Sequence, residues 1–169
     1  MTLSRRNFVQ ASVATGALAK PALSYAADAM PDGQPWPSVK IGNHHHLEVG
    51  KPVRFNYPDN RSPAWLLKLG HEAYLGTGPD KDVVAFSGIC THMGCPVEFK
   101  GERFVCPCHL SMFDPSKNGQ VYQGMASDYL PQIILSHRSS GDIHAVRMEG
   151  LIWGRKNDLQ MVKTASGGN

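Results

Sequence analysis

Cys90-Thr91-His92-Met93-Gly94-Cys95 and Cys106-Pro107-Cys108-His109-Leu110-Ser111-Met112-Phe113-Asp114 contain all four cysteines of the 169-residue chain. Each block pairs a cysteine with a histidine at close spacing, C-x-H in the first and C-x-x-H in the second, so each loop can offer one sulfur and one nitrogen to a metal. Tetrahedral zinc is one use of such a set. Zinc takes four ligands, however, and accounts for neither the two additional cysteines nor Gly94 and Ser111. Covalent haem attachment needs two residues between its cysteines, and only Pro107 separates Cys106 from Cys108. Two plain disulfides would use the cysteines and leave the paired histidines without a purpose.

The two blocks resemble the cluster loops of the Rieske iron-sulfur family, which read Cys-Thr-His-x-Gly-Cys and Cys-Pro-Cys-His-x-Ser. Every fixed position is present here. By that resemblance one [2Fe-2S] cluster per chain is held by Cys90 and Cys106 on an inner iron and by His92 and His109 on an outer iron. The resemblance also makes Cys95 and Cys108, the two cysteines not used as ligands, a disulfide that staples the facing loops. It places Ser111 where its hydroxyl donates to a cluster sulfide. Phe113 falls where high-potential relatives carry a tyrosine that donates to a ligand sulfur, so both positions bear on the reduction potential. Pro131 is expected on a loop covering the imidazole side. The implied chemistry is one-electron transfer.

A finer resemblance, carried by Cys-Thr-His-Met-Gly-Cys and Cys-Pro-Cys-His-Leu-Ser-Met-Phe-Asp in a short exported chain, is to the small-subunit family of bacterial arsenite oxidase. It implies a large partner subunit holding molybdopterin and a [3Fe-4S] cluster, with cytochrome c or a small copper protein as electron acceptor. The chain would then be a relay within an oxidoreductase complex and would not itself hold the substrate. The Rieske subunit of a quinol:cytochrome c oxidoreductase is the alternative, and a structural zinc interaction domain the remaining one.

Ser4-Arg5-Arg6-Asn7-Phe8-Val9 is a twin-arginine pattern followed by a mildly apolar run and small residues near Ala26-Ala27. It resembles a Tat signal over residues 1–27, which implies folded export to the periplasm, where a disulfide persists. The run is well short of the roughly 20 apolar residues that span a bilayer, so no firm transmembrane anchor is expected. Lys and Arg number 17 against 14 Asp and Glu, and Arg5, Arg6 and Lys20 all lie in the signal. Subtracting those three leaves 14 of each sign. A mature domain so balanced gives no reason to expect nucleic acid as a partner.

The remaining part, residues 28–165, has the size of one domain. Runs such as Val53-Arg54-Phe55-Asn56-Tyr57, Trp65-Leu66-Leu67-Lys68-Leu69 and Val83-Val84-Ala85-Phe86 are β-branched or aromatic and bounded by Gly, Pro, Asn and Asp. Further strands are expected at Val39–Ile41, Arg103–Cys106, Gln120–Tyr122, Gln132–Leu135, Ile143–Met148 and Leu151–Trp153, with helix nearly absent. The fold class is therefore all-β. The Rieske resemblance implies an antiparallel β-sandwich or barrel base, with a cluster-binding subdomain of about residues 87–131 inserted in it. His44-His45-His46 reads as an exposed loop, since adjacent residues on an extended chain point in alternate directions. Gly76-Thr77-Gly78-Pro79-Asp80 reads as a turn, without the strand-loop-helix order of a phosphate site.

Overall fold

Val83–Ser87 is buried along its entire length, and that strand organises the molecule. In a computed structural model, which describes residues 36–153, it is the fourth of ten strands. The signal expected at residues 1–27 lies outside the described residues. The others are β1 (Val39–Asn43), β2 (Val53–Asn56), β3 (Pro63–Lys68), β5 (Glu98–Lys100), β6 (Arg103–Val105), β7 (Met112–Asp114), β8 (Gln120–Gln123), β9 (Gln132–His137) and β10 (Asp142–Met148). Six form one antiparallel sheet in the order β1-β10-β9-β4-β3-β2, curled into a near-closed barrel, and β5-β6-β7-β8 form a second, smaller sheet. The fold is all-β, as the strand-rich pattern predicts. Among the described residues the only helical turn is a 3-10 segment at His44–His46, and no helix is long and apolar enough to cross a membrane.

Successive side chains of a strand point to opposite faces, and β4 uses both. Val83 and Ala85 join Tyr57, Leu66, Ile133, Ile143 and Ala145 in the barrel core. Val84 and Phe86 turn the other way and pack with Leu67, Phe104, Phe113 and Leu130 beneath the small sheet, where Phe86 meets Phe104 edge-to-face. The small sheet is therefore not an appendage on a linker. Its chain leaves after β4 and returns at β9, which pairs with β4 through Ala85 and Ile133 and through Phe86 and Gln132. A strand buried on both faces reads as a continuous apolar run without alternation, which is how Val83-Val84-Ala85-Phe86 reads.

Two strands were not expected from the sequence, β5 and β7, each three residues long. One expected strand does not form. Leu151–Trp153 joins no ladder, because β9 and β10 already pair with each other through Met148 and β9 gives its other edge to β4. Ile152 instead caps the barrel core.

Candidate metal centre

The two cysteine-histidine blocks fold into conformational copies of one another. In the first loop Cys90 N donates to Cys95 O (2.8 Å) and Gly94 N donates back to Cys90 O (3.0 Å). In the second, Cys106 N donates to Ser111 O (2.8 Å) and Leu110 N to Cys106 O (2.9 Å). The fifth residue of each loop has positive φ, +74° at Gly94 and +57° at Leu110. Glycine takes that conformation freely, whereas a leucine held there costs about 1–2 kcal/mol, a strain of the kind concentrated at functional sites. Each loop is thus a six-residue closure whose first residue is a cysteine, with the histidine two or three positions later at the outer end.

The closures bring the expected residues together in two layers. Cys90 and Cys106 are buried and carry free thiols; they belong to the apolar cluster that contains Phe86, Phe104 and Phe113. His92 and His109 stand at the surface with their Nδ1 atoms 3.2 Å apart and their rings nearly perpendicular. Cys95 and Cys108 are joined by a disulfide across the loops. The sulfurs of Cys95, Cys106 and Cys108 lie within 4.8 Å of one another, but the bridge removes two of them from the ligand set. Two thiols and two imidazoles remain.

This donor set fits an iron-sulfur centre with mixed ligands. Burial pushes the Cys90 thiol up; the backbone N–H of His92 pulls it back, neighbouring Cys106 raises it further, and the Ser111 hydroxyl lowers it. Two adjacent buried thiolates are unfavourable without a cation between them, so metal binding has protons to displace here.

Ser111 is fully buried, and its Oγ accepts from Met125 N (3.0 Å) and Ala126 N (2.9 Å). With both acceptor positions used, the hydroxyl proton is left to donate towards the Cys90 sulfur, the interaction that lowers that thiol. Phe113 is buried on β7 opposite Phe104 and Val121, with no hydroxyl to offer a sulfur. The two positions should act in opposite directions on the reduction potential. A donor stabilises the extra negative charge of a reduced centre, so Ser111→Ala should lower the potential and Phe113→Tyr should raise it. A differential of about 1–2 kcal/mol per donor corresponds to roughly 40–90 mV for one electron. Voltammetry of variants with intact visible spectra checks both signs, and a rise in Ser111→Ala would defeat the account.

Pro131, the residue expected over the imidazole side, is held in the scaffold. It is buried immediately before β9, with its carbonyl accepting from Ser87 N (2.8 Å), a position at a strand's first residue that suits proline because no ladder N–H is lost there. The segment that lies over the ligand loops is Gly124–Asp128. Met125 and Ala126 hold Ser111, and Asp128 O accepts from the buried Thr91 hydroxyl at 2.7 Å. These contacts are largely to backbone, so side-chain identity gives little sign of them. Gly124, at φ +91° against the Ser111 backbone, is the one residue whose type does.

The model of the Rieske [2Fe-2S] domain matches residues 39–147. The chain belongs to the Rieske family. It is 41% identical over 157 residues to a subunit of the iodate reductase of Denitromonas iodatirespirans, covering 90% of this chain and 84% of that one. Similarity to the Rieske iron-sulfur subunit of the Streptomyces lividans cytochrome bc1 complex is 39% over 67 residues, or 38% of this chain and 39% of the other. In fold it resembles the soluble domain of Rieske protein II from Sulfolobus acidocaldarius, with a TM-score of 0.63 at 24% identity over 72% of this chain and 83% of that chain. The histidines face outward and the free cysteines inward, as the loop resemblance implies.

The disulfide gives a separate prediction. Neither Cys95 nor Cys108 is needed as a ligand, so a Cys95→Ala, Cys108→Ala double variant should still take up iron. It should nevertheless lose stability by about 2–4 kcal/mol and release iron faster on warming. Unchanged melting and iron retention would show that the loop closures alone hold the site.

Proposed function

We propose that this chain is the electron-transfer subunit of a respiratory oxyanion oxidoreductase, with Cys90, Cys106, His92 and His109 holding one [2Fe-2S] cluster. The observation that carries this reading is the layering: two free buried thiols below two imidazoles whose Nδ1 atoms lie 3.2 Å apart on the outer side. Such a cluster, when bound, takes up and gives up one electron at a time. The chain's own groups bury the cysteines, hold a hydroxyl proton on the sulfur side through Ser111, and bring the histidines to where a partner can approach. Met93 and Leu110 on the loops and Met125 on the segment that holds Ser111, each exposed, supply apolar contact. The reacting oxyanion would be turned over on a separate, larger subunit, for which the arsenite oxidase resemblance suggests a molybdopterin and [3Fe-4S] protein. Cytochrome c or a small copper protein would exchange electrons on the other side. Export by the Tat pathway to the periplasm is part of the proposal, supported by Arg5-Arg6 and by the Cys95–Cys108 bridge.

The extent of similarity supports the oxyanion reading: the iodate reductase subunit matches 90% of the chain, the bc1 subunit 38%. A quinol:cytochrome c complex is the second reading. It has a bc1 relative to its name, whereas arsenite oxidase has none among the relatives above, so arsenite as the particular substrate rests on the loop resemblance alone. The native complex, purified with its partners, separates these readings. Iodate should reoxidise its pre-reduced Rieske centre, or arsenite should reduce the oxidised one, and the isolated chain should respond to neither. A complex that contains cytochrome b and responds only to quinol would replace the oxyanion reading with the quinol one.

A further inference from the structure

Among the described residues Asp82 Oδ1, Gln132 Oε1 and His137 Nε2 are buried without a hydrogen-bond partner, and the first of them lies in a cluster of possible metal ligands outside the Rieske loops. His44, on the turn after β1, and Asp80 and Asp82, on the connection from β3 to β4, place a ring nitrogen and two carboxylate oxygens within 4.8 Å of one another. Asp82 is 1% exposed. Its Oδ2 accepts from Gly70 N at 3.2 Å, but its Oδ1 is buried and receives no donor, an arrangement that a fold tolerates poorly unless a cation answers it. Lys68 is close but does not do so. Its Nζ lies 3.2 Å from His44 Nε2, and among the described residues no ion pair joins it to Asp82.

The turn that carries the imidazole is held as well. His44 N donates to Gly141 O at 2.8 Å, and His137 meets the His44 ring edge-on at 5.6 Å. Gly78, at φ +87°, brings the Gly76–Asp80 turn so near that a Cβ there would lie 3.3 Å from His44 Cδ2. Burial, and then Lys68, hold His44 below the ordinary imidazole range. A neutral ring keeps a lone pair for Lys68 or for a metal.

We propose that His44, Asp80 and Asp82 form a divalent-cation site of the zinc type, separate from the Rieske centre. One imidazole nitrogen and two carboxylate oxygens, with further positions left to water, make a set that zinc accepts, whereas calcium and magnesium favour oxygen alone. The ion gives Asp82 Oδ1 its partner and ties the turn after β1 to the β3–β4 connection. Lys68 competes for His44 Nε2 and has to swing outward from its strand end when the metal enters.

Zinc titration into the full chain with its iron-sulfur cluster loaded tests the site, the visible spectrum reporting that the cluster is untouched. The wild-type protein should bind zinc saturably, and one zinc per chain should raise its melting temperature. His44→Gln and the exposed-site variant Asp80→Asn should each weaken binding by about tenfold or more, while Lys68→Met should tighten it. A His45→Gln, His46→Gln double variant should bind as wild type does. Absence of saturable binding, affinity unchanged in His44→Gln and Asp80→Asn, or affinity lost only in the His45, His46 double variant would each overturn the proposal. Using Asp80, which is exposed, keeps the test independent of any folding defect caused by altering buried Asp82.

Discussion

Replacing His92 or His109 with alanine should give a folded barrel with no Rieske electron paramagnetic resonance signal. Each histidine sits at the outer end of a loop closed by backbone hydrogen bonds that its ring does not make, and neither belongs to either apolar core. Their removal should therefore change the stability of the apo fold by no more than about 0.5 kcal/mol, as for other surface substitutions. Each variant nevertheless deletes one of four ligands, so loss of the normal centre should be complete. Cys90→Ser or Cys106→Ser should abolish the signal too. Those two also place a hydroxyl in the apolar cluster beneath the small sheet, so their melting temperatures should fall where those of the histidine variants do not. Iron and sulfide analysis beside circular dichroism separates the two outcomes. A His92→Ala protein retaining two irons and an unaltered signal would remove His92 from the ligand set.

The proposed ligand residues stand out in the sequence because metal binding demands particular side chains at particular spacings, and the fold adds their convergence. Strands were legible for the same kind of reason wherever burial wrote a pattern: Trp65-Leu66-Leu67 and Val83-Val84-Ala85-Phe86 could hardly be anything else. Within β5 and β7, three residues are too few to show a period, and Met112-Phe113-Asp114 was already spoken for as the tail of a ligand loop. Leu151-Ile152-Trp153 has a strand-like composition, but β9 and β10, the strands it follows, are already paired on both sides. Whether an apolar triplet pairs or merely packs depends on its neighbours in space, which local sequence does not encode. Pro131, expected on a covering loop, is buried before β9 with its carbonyl bonded to Ser87, a scaffold contact through backbone that its residue type does not announce. The segment over the ligand loops, Gly124–Asp128, acts mainly through backbone N–H and C=O groups, which every sequence has. The surroundings of His44 are not legible locally: His44–His46 form a 3-10 turn rather than extended chain, and Lys68, Asp82 and His137 become its neighbours only when the barrel closes.

Gly124→Ala should be among the most damaging single substitutions outside the ligand set. A Cβ at this position would press on Ser111 Cα, 2.6 Å from Ser111 N and 2.8 Å from Leu110 O. All three are backbone atoms of the second ligand loop, so no side chain can rotate away to make room. The φ of +91° adds the left-handed strain of an L residue, about 1–2 kcal/mol, to an overpacking cost of about 1–3 kcal/mol. Relief requires the Gly124–Asp128 segment to lift, and lifting it withdraws the Met125 and Ala126 N–H groups from Ser111 Oγ. With those acceptor bonds gone, the hydroxyl is free to turn its proton away from the Cys90 sulfur. The variant should consequently lose roughly 2–5 kcal/mol of stability and, in whatever fraction still carries a cluster, show a reduction potential shifted downward as in Ser111→Ala. Gly50→Ala supplies the control, since φ there is +73° but nothing lies within 4 Å of the added Cβ; it should cost only the backbone strain and leave the potential alone. Denaturant melts and voltammetry on the pair distinguish collision from strain, and equal losses with equal potentials would mean that the segment over the ligand loops has room to move without disturbing Ser111.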